Sequence, residues 1–250
     1  MVKNESLGII GFGRFGMLAA RYLKSYFDVF VSDIRDKKAQ AEEIGVSFVD
    51  VKECAKKGIV LLCVPISQLE NTLIEISPFL KEGSLLLDVC SVKEKPVDSI
   101  KKIIPRYCEC IGTHPLFGPD TIESGLEGKK IVLCPIRTKK LEKIVVFLQK
   151  LGLEVIISTP KEHDEQMARS LALVHLLGRA LLNIGVERNN MVTPTHERLM
   201  ELVDIVRNDP NQLFLDMQTK NRFASKTRKA LIKQLIEIDG ELDGIEGSFL

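Results

Sequence analysis

Three glycines stand at G-x-G-x-x-G spacing, Gly11, Gly13 and Gly16, between an apolar run and a helix-like stretch. That spacing suits a dinucleotide pyrophosphate. The first glycine allows a tight turn, the second lets the backbone approach the phosphates, and the third lets the following helix sit close on its strand. The loop Gly11-Phe12-Gly13-Arg14-Phe15-Gly16 is therefore the candidate cofactor cradle. Asp33 ends the next apolar run, where a carboxylate would take the adenosine ribose hydroxyls. A carboxylate there repels a 2′-phosphate, so NAD is favoured over NADP; Arg35, two residues on, is placed to soften that preference. The second group is built on histidine. Of His114, His163, His175 and His196, only His114 lies in a segment dense in backbone-fixing residues, Gly112-Thr113-His114-Pro115-Leu116-Phe117-Gly118-Pro119. Two glycines and two prolines hold one imidazole in a defined place, as general-base catalysis requires.

Such residues need elements that bring them to one edge. Short β-rich apolar runs at 7–10, 29–31, 59–64, 84–89, 110–112, 130–134 and 154–157 alternate with helix-like stretches such as 37–44, 66–76 and 139–151. The pattern predicts a parallel sheet wrapped by helices, because most runs are unbroken and fit strands covered on both faces. Cys63-Val64-Pro65 and Asp88-Val89-Cys90-Ser91 then fall at carboxyl ends of strands, where open α/β sheets bind ligands. Val64 and Pro65 would form an apolar wall for the cofactor, although Pro65 alone reads first as a helix-starting proline. After Ile157 the strands stop. Thr159-Pro160-Lys161-Glu162 has a capping threonine, a proline at the first helical position and a glutamate to close the box, and the rest reads helical, including 197–206 and 226–238. The expected domains are 1–158 and a helical 159–250, with a glycine-punctuated tail from Gly240 onward.

Composition narrows the class. In 250 residues, 35 basic and 34 acidic side chains leave a formal charge of +1, which supplies no footprint for nucleic acid and no polybasic membrane patch. No apolar run nears the ~20 residues of a membrane span, and the polar start Met1-Val2-Lys3-Asn4-Glu5 is no secretory signal, so a cytoplasmic protein is expected. Six cysteines show no Cys-x-x-Cys or zinc spacing, and three of them, Cys63, Cys90 and Cys134, lie within apolar runs; neither a disulfide framework nor a metal is expected.

The stretches Gly11–Gly16, Cys63-Val64-Pro65, Asp88-Val89-Cys90-Ser91-Val92-Lys93, the His114 segment, Glu162-His163-Asp164 and 170–182 around His175 resemble the prephenate and arogenate dehydrogenases of tyrosine biosynthesis. The resemblance implies a Rossmann domain, a helical domain that dimerises, and a site in the cleft between them. It implies oxidative decarboxylation: hydride passes to NAD from the ring carbon bearing the hydroxyl, carbon dioxide leaves the opposite carbon, and the ring becomes aromatic. Under it, His114 is the catalytic histidine, Ser91 orients the hydroxyl and the histidine, and His175 lies on the substrate side. His163 fits a family motif but stands ~120° around a helix from His175, so the two do not readily share a ligand face; organising the helix end is its simplest role. His196 reads as surface.

One departure bears on the substrate. Many prephenate-using members carry an arginine five positions before an aspartate in the second domain. If Asp209 is that aspartate, Asp204 takes the arginine's place, with Arg198 and Arg207 nearby. Prephenate carries two carboxylates and needs cations, whereas arogenate offers an ammonium that an aspartate would welcome. Arg179, one turn after His175, is an alternative anion binder. The leading expectation is an NAD-dependent prephenate dehydrogenase; the alternatives are an arogenate dehydrogenase, another reductase of similar architecture, and a non-catalytic NAD-binding sensor.

Overall fold

The computed structural model describes residues 5–122 and 125–246. The chain divides into two compact units, Met1–His163 and Asp164–Leu250.

The first unit is built on eight strands: β1 Ser6–Ile10, β2 Asp28–Ser32, β3 Ser47–Phe48, β4 Ile59–Leu62, β5 Leu85–Asp88, β6 Glu109–Pro115, β7 Lys130–Arg137 and β8 Glu154–Ile157. They form one sheet in the order β3-β2-β1-β4-β5-β6-β7-β8. Its helices are α1 Arg14–Leu23, α2 Lys38–Ile44, α3 Val51–Ala55, α4 Ile66–Ile76, α5 Glu94–Ile103 and α6 Leu141–Lys150. Alternate residues of a strand face opposite sides, and the core follows that period. Val60 and Leu62 join Leu69, Leu73 and Ile100 on one side, while Leu61 joins Leu7, Ile9 and Ala20 on the other. Helices on both faces explain why the strand runs are apolar throughout rather than alternating. The architecture is a Rossmann-type doubly wound α/β fold with a helical second unit.

Two features depart from the sequence reading, one a strand it did not include and the other a change of direction. β3 is a two-residue edge strand, too short to leave an apolar period. β7 runs antiparallel to β6, and β8 is parallel to β7, so the last two strands are reversed. The reversal follows from the connection. A parallel crossover normally needs a helix, but the segment after β6 carries Gly118, Pro119, Gly125 and Gly128, and its described residues hold only the 3₁₀ turn Pro119–Thr121. It returns the chain alongside β6.

Helix α7 Pro160–Arg169 follows β8, and the break between units falls inside it. The Thr159 hydroxyl accepts from the Glu162 N–H at 3.2 Å, as the cap predicts, while the Glu162 carboxylate accepts from the Ser158 hydroxyl at 3.1 Å. The second unit holds α8 Leu171–Asn183, α9 Pro194–Asn208, α10 Asn211–Lys220 and α11 Ala224–Glu246. A Cβ on Gly178 of α8 would lie 2.6 Å from Val206 and 2.7 Å from Leu202, so this glycine lets α8 and α9 approach closely. Gln218 donates to the Ala172 carbonyl at 2.6 Å and Asn221 to the Asp164 carbonyl at 2.7 Å, tying the unit's ends together. The expected glycine-rich tail is instead helix: α11 runs through Gly240 and Gly244 to Glu246. An interior glycine costs only ~1 kcal/mol relative to alanine, which a long helix tolerates; Gly247 lies outside the described residues. No described helix is long and apolar enough to cross a membrane.

Candidate active site

Register alone assembles one edge of the sheet. Ile10 pairs with Ser32 and Leu62, Leu62 with Asp88, and Asp88 with Gly112. Gly11, Asp33, Val64, Ser91 and His114 therefore all leave the sheet at its carboxyl edge, about the β1/β4 point where the strand order reverses. Ligands of open α/β sheets bind at such a crevice.

The glycine loop has the geometry its spacing predicts. Gly11 has φ +94°, a left-handed conformation, and a Cβ there would lie 2.5 Å from the Cys63 carbonyl oxygen. A Cβ on Gly16 would sit 2.0 Å from the Gly11 oxygen, so only glycine lets α1 approach β1 this closely. Gly13 is different: a Cβ there would meet nothing within 4 Å. It caps α1 with extended backbone and no side-chain hydrogen bond, so no side chain closes the N-terminus of the helix. A bare helix N-terminus beside an open glycine fits a pyrophosphate. Asp33 closes the other side, accepting from the Phe12 N–H at 2.8 Å and the Arg35 N–H at 3.0 Å. The Arg35 guanidinium lies 3.9 Å from the same carboxylate, directed at Asp33. Phe12 is fully buried, Phe15 stacks loosely on Phe117 at 6.3 Å, and Arg14 pairs with Asp120 at 2.5 Å across the loop mouth. Val64 is half-buried, and Pro65 is exposed and caps α4, so Pro65 also serves as the helix-starting proline.

The His114 segment sits on a buried ionic platform. Asp88 ends β5, and its carboxylate binds the Lys93 ammonium and accepts from the Cys90 N–H at 3.0 Å and the Thr113 N–H at 3.3 Å. Lys93 also donates to the Thr113 carbonyl, and the Thr113 hydroxyl to the Asp88 carbonyl. Both charged side chains are wholly inaccessible, and together they bind the end of β5 to β6 at the residue before His114. Removing two charges from water is costly and worthwhile only with such complete pairing. The sequence resemblance covers Lys93 but gives it no role.

His114 is buried, and its Nδ1 lies 2.8 Å from Nε2 of His163, the rings meeting edge-on. Among the described residues, His163 is the one hydrogen-bonding partner of the His114 ring. Burial first, then the neighbouring His163 ring and the Lys93 ammonium, hold His114 well below the ordinary histidine range. The ring is neutral at pH 7, the state a proton acceptor requires. Ser91 is buried, and among the described residues its hydroxyl has no hydrogen-bond partner, although buried hydroxyls nearly always have one. A substrate hydroxyl would satisfy it. The histidine pair was not legible in the sequence, yet register explains it. Thr113 pairs with Leu133 and Leu133 with Ile157, so the chain leaves β8 at the level of His114 and enters α7, whose first turn carries His163.

The second unit holds its own polar cluster. His175 is buried on α8 with Nδ1 unpartnered among the described residues, and its Nε2 is 3.8 Å from an Asp209 carboxylate oxygen. Burial, with the Arg179 charge one turn on, pushes its pKa down to about 4. Arg179 stacks over Phe214 at 5.4 Å, and its buried Nε makes no hydrogen bond. Asp204, the carboxylate considered for an ammonium, is paired with two cations, Arg188 at 2.7 Å and Arg207 at 3.5 Å. The buried thiols of Cys54, Cys63, Cys90 and Cys110 are pushed up by burial and stay protonated.

Comparison with known proteins agrees with the cradle and the fold. Residues 19–174 match the family described as prephenate dehydrogenase, nucleotide-binding domain, and residues 180–248 match the TYRAAT1-like, C-terminal domain family. A probable arogenate/prephenate dehydrogenase of Methanocaldococcus jannaschii is 33% identical over 95% of this chain and 57% of its own length. The chain thus spans little more than half of that relative. Arogenate dehydrogenase 2, chloroplastic, of Arabidopsis thaliana is 28% identical over 95% of this chain and 70% of its own length. In fold, the chain is similar to a prephenate dehydrogenase from A. aeolicus crystallised with hydroxyphenyl propionate and NAD+ (TM-score 0.77, 22% identity, 98% of this chain and 92% of that one). With the nucleotide-binding match spanning most of the sheet and the glycine cradle intact ahead of it, this chain belongs to the prephenate dehydrogenase family.

Proposed function

We propose that the chain catalyses NAD-dependent oxidative decarboxylation of prephenate to 4-hydroxyphenylpyruvate, in tyrosine biosynthesis, and works as a cytoplasmic homodimer. The observation that carries the reading is His114, a buried, neutral imidazole at the same sheet edge as the glycine cradle. A bound nicotinamide supplies the hydride acceptor. The protein's own part is proton handling and orientation. Ser91 is available to hold the substrate hydroxyl, and His114 takes its proton while the oxygen's electron pair forms the carbonyl. When carbon dioxide leaves the opposite ring carbon, the ring becomes aromatic and the same oxygen regains the proton. Aromatisation supplies much of the driving force, so positioning is the main requirement on the protein.

Asp33 supports NAD. Its carboxylate is fixed by two backbone donors, and Arg35 is turned toward it, so a 2′-phosphate would meet a fixed negative charge with its nearest cation already engaged. Arg179 supports an anionic substrate, since a half-buried guanidinium whose Nε lacks a hydrogen bond among the described residues is suited to a carboxylate. Arogenate is the second reading. It is favoured by the names of the relatives, among which arogenate dehydrogenases recur. Purified protein with NAD or NADP and with prephenate or arogenate separates these readings by nicotinamide absorbance. Reduction with NAD and prephenate is expected. Reduction with arogenate alone assigns the second reading, and none in all four mixtures overturns the family activity for this chain.

A further inference from the structure

We infer that His163 is a positioning residue for the proton transfer: it fixes His114 in the tautomer that leaves Nε2 free to accept. The inference deepens the proposed function and rests on it for its rate measurements. The geometry is that Nδ1 of His114 faces Nε2 of His163 at 2.8 Å, with both rings buried. Two neutral imidazoles in contact share one proton on that line, so one donates and the other accepts. If His114 accepted at Nδ1, its proton would sit on Nε2, and the nitrogen left for substrate would be a donor. A base needs the reverse arrangement: His114 donates from Nδ1–H, and His163 accepts at Nε2 while carrying its own proton on Nδ1.

The pair does more than choose a tautomer. When His114 takes the substrate proton at Nε2, its Nδ1–H still points at a neutral acceptor, which spreads the new charge without burying a second ion. This follows the logic of a base oriented by a third group, with an imidazole where a carboxylate is more usual. The choice has an electrostatic reason. The charged groups facing His114 are the Lys93 ammonium and its partner Asp88 below, already paired and saturated with hydrogen bonds, and His163 from α7. A carboxylate in place of His163 would raise the pKa of His114, whereas a neutral imidazole keeps the base deprotonated in mild acid.

The test uses nitrogen-15 NMR of the whole protein for the tautomer, and turnover for the consequence. Wild type should show a protonated Nδ1 and a bare Nε2 on His114. His163→Leu should move His114 toward the Nε2–H form and lower kcat roughly 10²-fold with little change in KM. His163→Gln places an amide oxygen near the lost nitrogen and should restore both the tautomer and most of the rate. A wild-type His114 protonated on Nε2 overturns the inference, and that readout stands even if His163→Leu fails to fold. So does a His163→Leu variant with unchanged tautomer and rate, or a His163→Gln variant as impaired as His163→Leu. Wild type with the expected tautomer but no turnover on any substrate would overturn the proposed function and leave the pairing intact.

Discussion

Gly13 and Gly16 lie three residues apart and answer differently to one added methyl group. At Gly16 the new carbon would collide with the Gly11 backbone oxygen, and α1 would have to move off its strand. At Gly13 it would enter empty space. Gly13→Ala should therefore leave the unfolding free energy of the free protein within about 0.5 kcal/mol of wild type while weakening dinucleotide affinity at least tenfold. Gly16→Ala should lower stability itself. Calorimetric titration with NAD beside urea unfolding checks both; a Gly13→Ala protein that binds NAD normally would remove the phosphates from this loop. His114 gives the second residue-scale expectation. His114→Asn keeps size and hydrogen bonding but cannot take a proton, so kcat should fall ~10²–10⁴-fold. Because burial, His163 and Lys93 lower the pKa of His114, the acidic limb of wild-type kcat/KM should lie below the ~6.5 of an ordinary histidine. A limb at or above that value would place the base elsewhere. The glycines, Asp33 and the His114 loop were legible in the sequence because each constrains its own local backbone. Lys93 and His163 were not, since what they touch is decided across strands.

At the scale of elements, the legible parts were those with a local period or a local cap. Seven of the strands and the start of α7 needed only nearby residues, whereas the reversal of β7 rests on where a glycine-rich segment returns. That reversal brings β8 and α7 to His114, so it also decides the site. The Asp88–Lys93 pair then bears the load of joining β5 to β6. Lys93→Met leaves a buried carboxylate without its cation and should cost ~3–5 kcal/mol in urea unfolding; a loss below 1 kcal/mol would show that the pair is incidental. In the helical unit, His175 has a pKa of about 4 when folded against ~6.5 when unfolded. Below ~6.5 the unfolded chain binds a proton that the folded one refuses, so the stabilising contribution is complete above that pH and is lost as pH falls toward 4. His114 acts with the same sign. Urea midpoints should therefore decline between pH 6.5 and 4, and His175→Gln should flatten part of that decline. An unchanged slope in the variant would mean that His175 is solvated.

For the whole molecule, α11 poses a problem that a single copy does not solve. Ile232, Leu235, Ile236, Ile238, Leu242 and Ile245 are all about half exposed or more, and at 100° per residue they fall within roughly half the helix circumference. Its charges are also arranged against the helix dipole: Lys226, Arg228, Lys229 and Lys233 occupy the N-terminal half, and Glu237, Asp239, Glu241 and Asp243 the C-terminal half. The dipole favours the opposite placement by ~0.3–1 kcal/mol per charge in the terminal turns. A second copy lying antiparallel would resolve both features. A two-fold axis near Leu235 matches Ile232 with Ile238 and Lys229 with Glu241 across the copies, covering the apolar face and setting each basic half against an acidic one. Isologous pairing of this kind is the commonest closed symmetry. The protein is therefore expected to sediment as a dimer at micromolar concentration. Leu235→Asp, which puts two carboxylates at the axis, should shift it to monomer. A charge reversal of Lys229 and Lys233 to glutamate should weaken the dimer, and reversing Glu237 and Glu241 to lysine in the same chain should restore it. A monomeric wild type, or a Leu235→Asp variant that stays dimeric, would send the pairing to another surface.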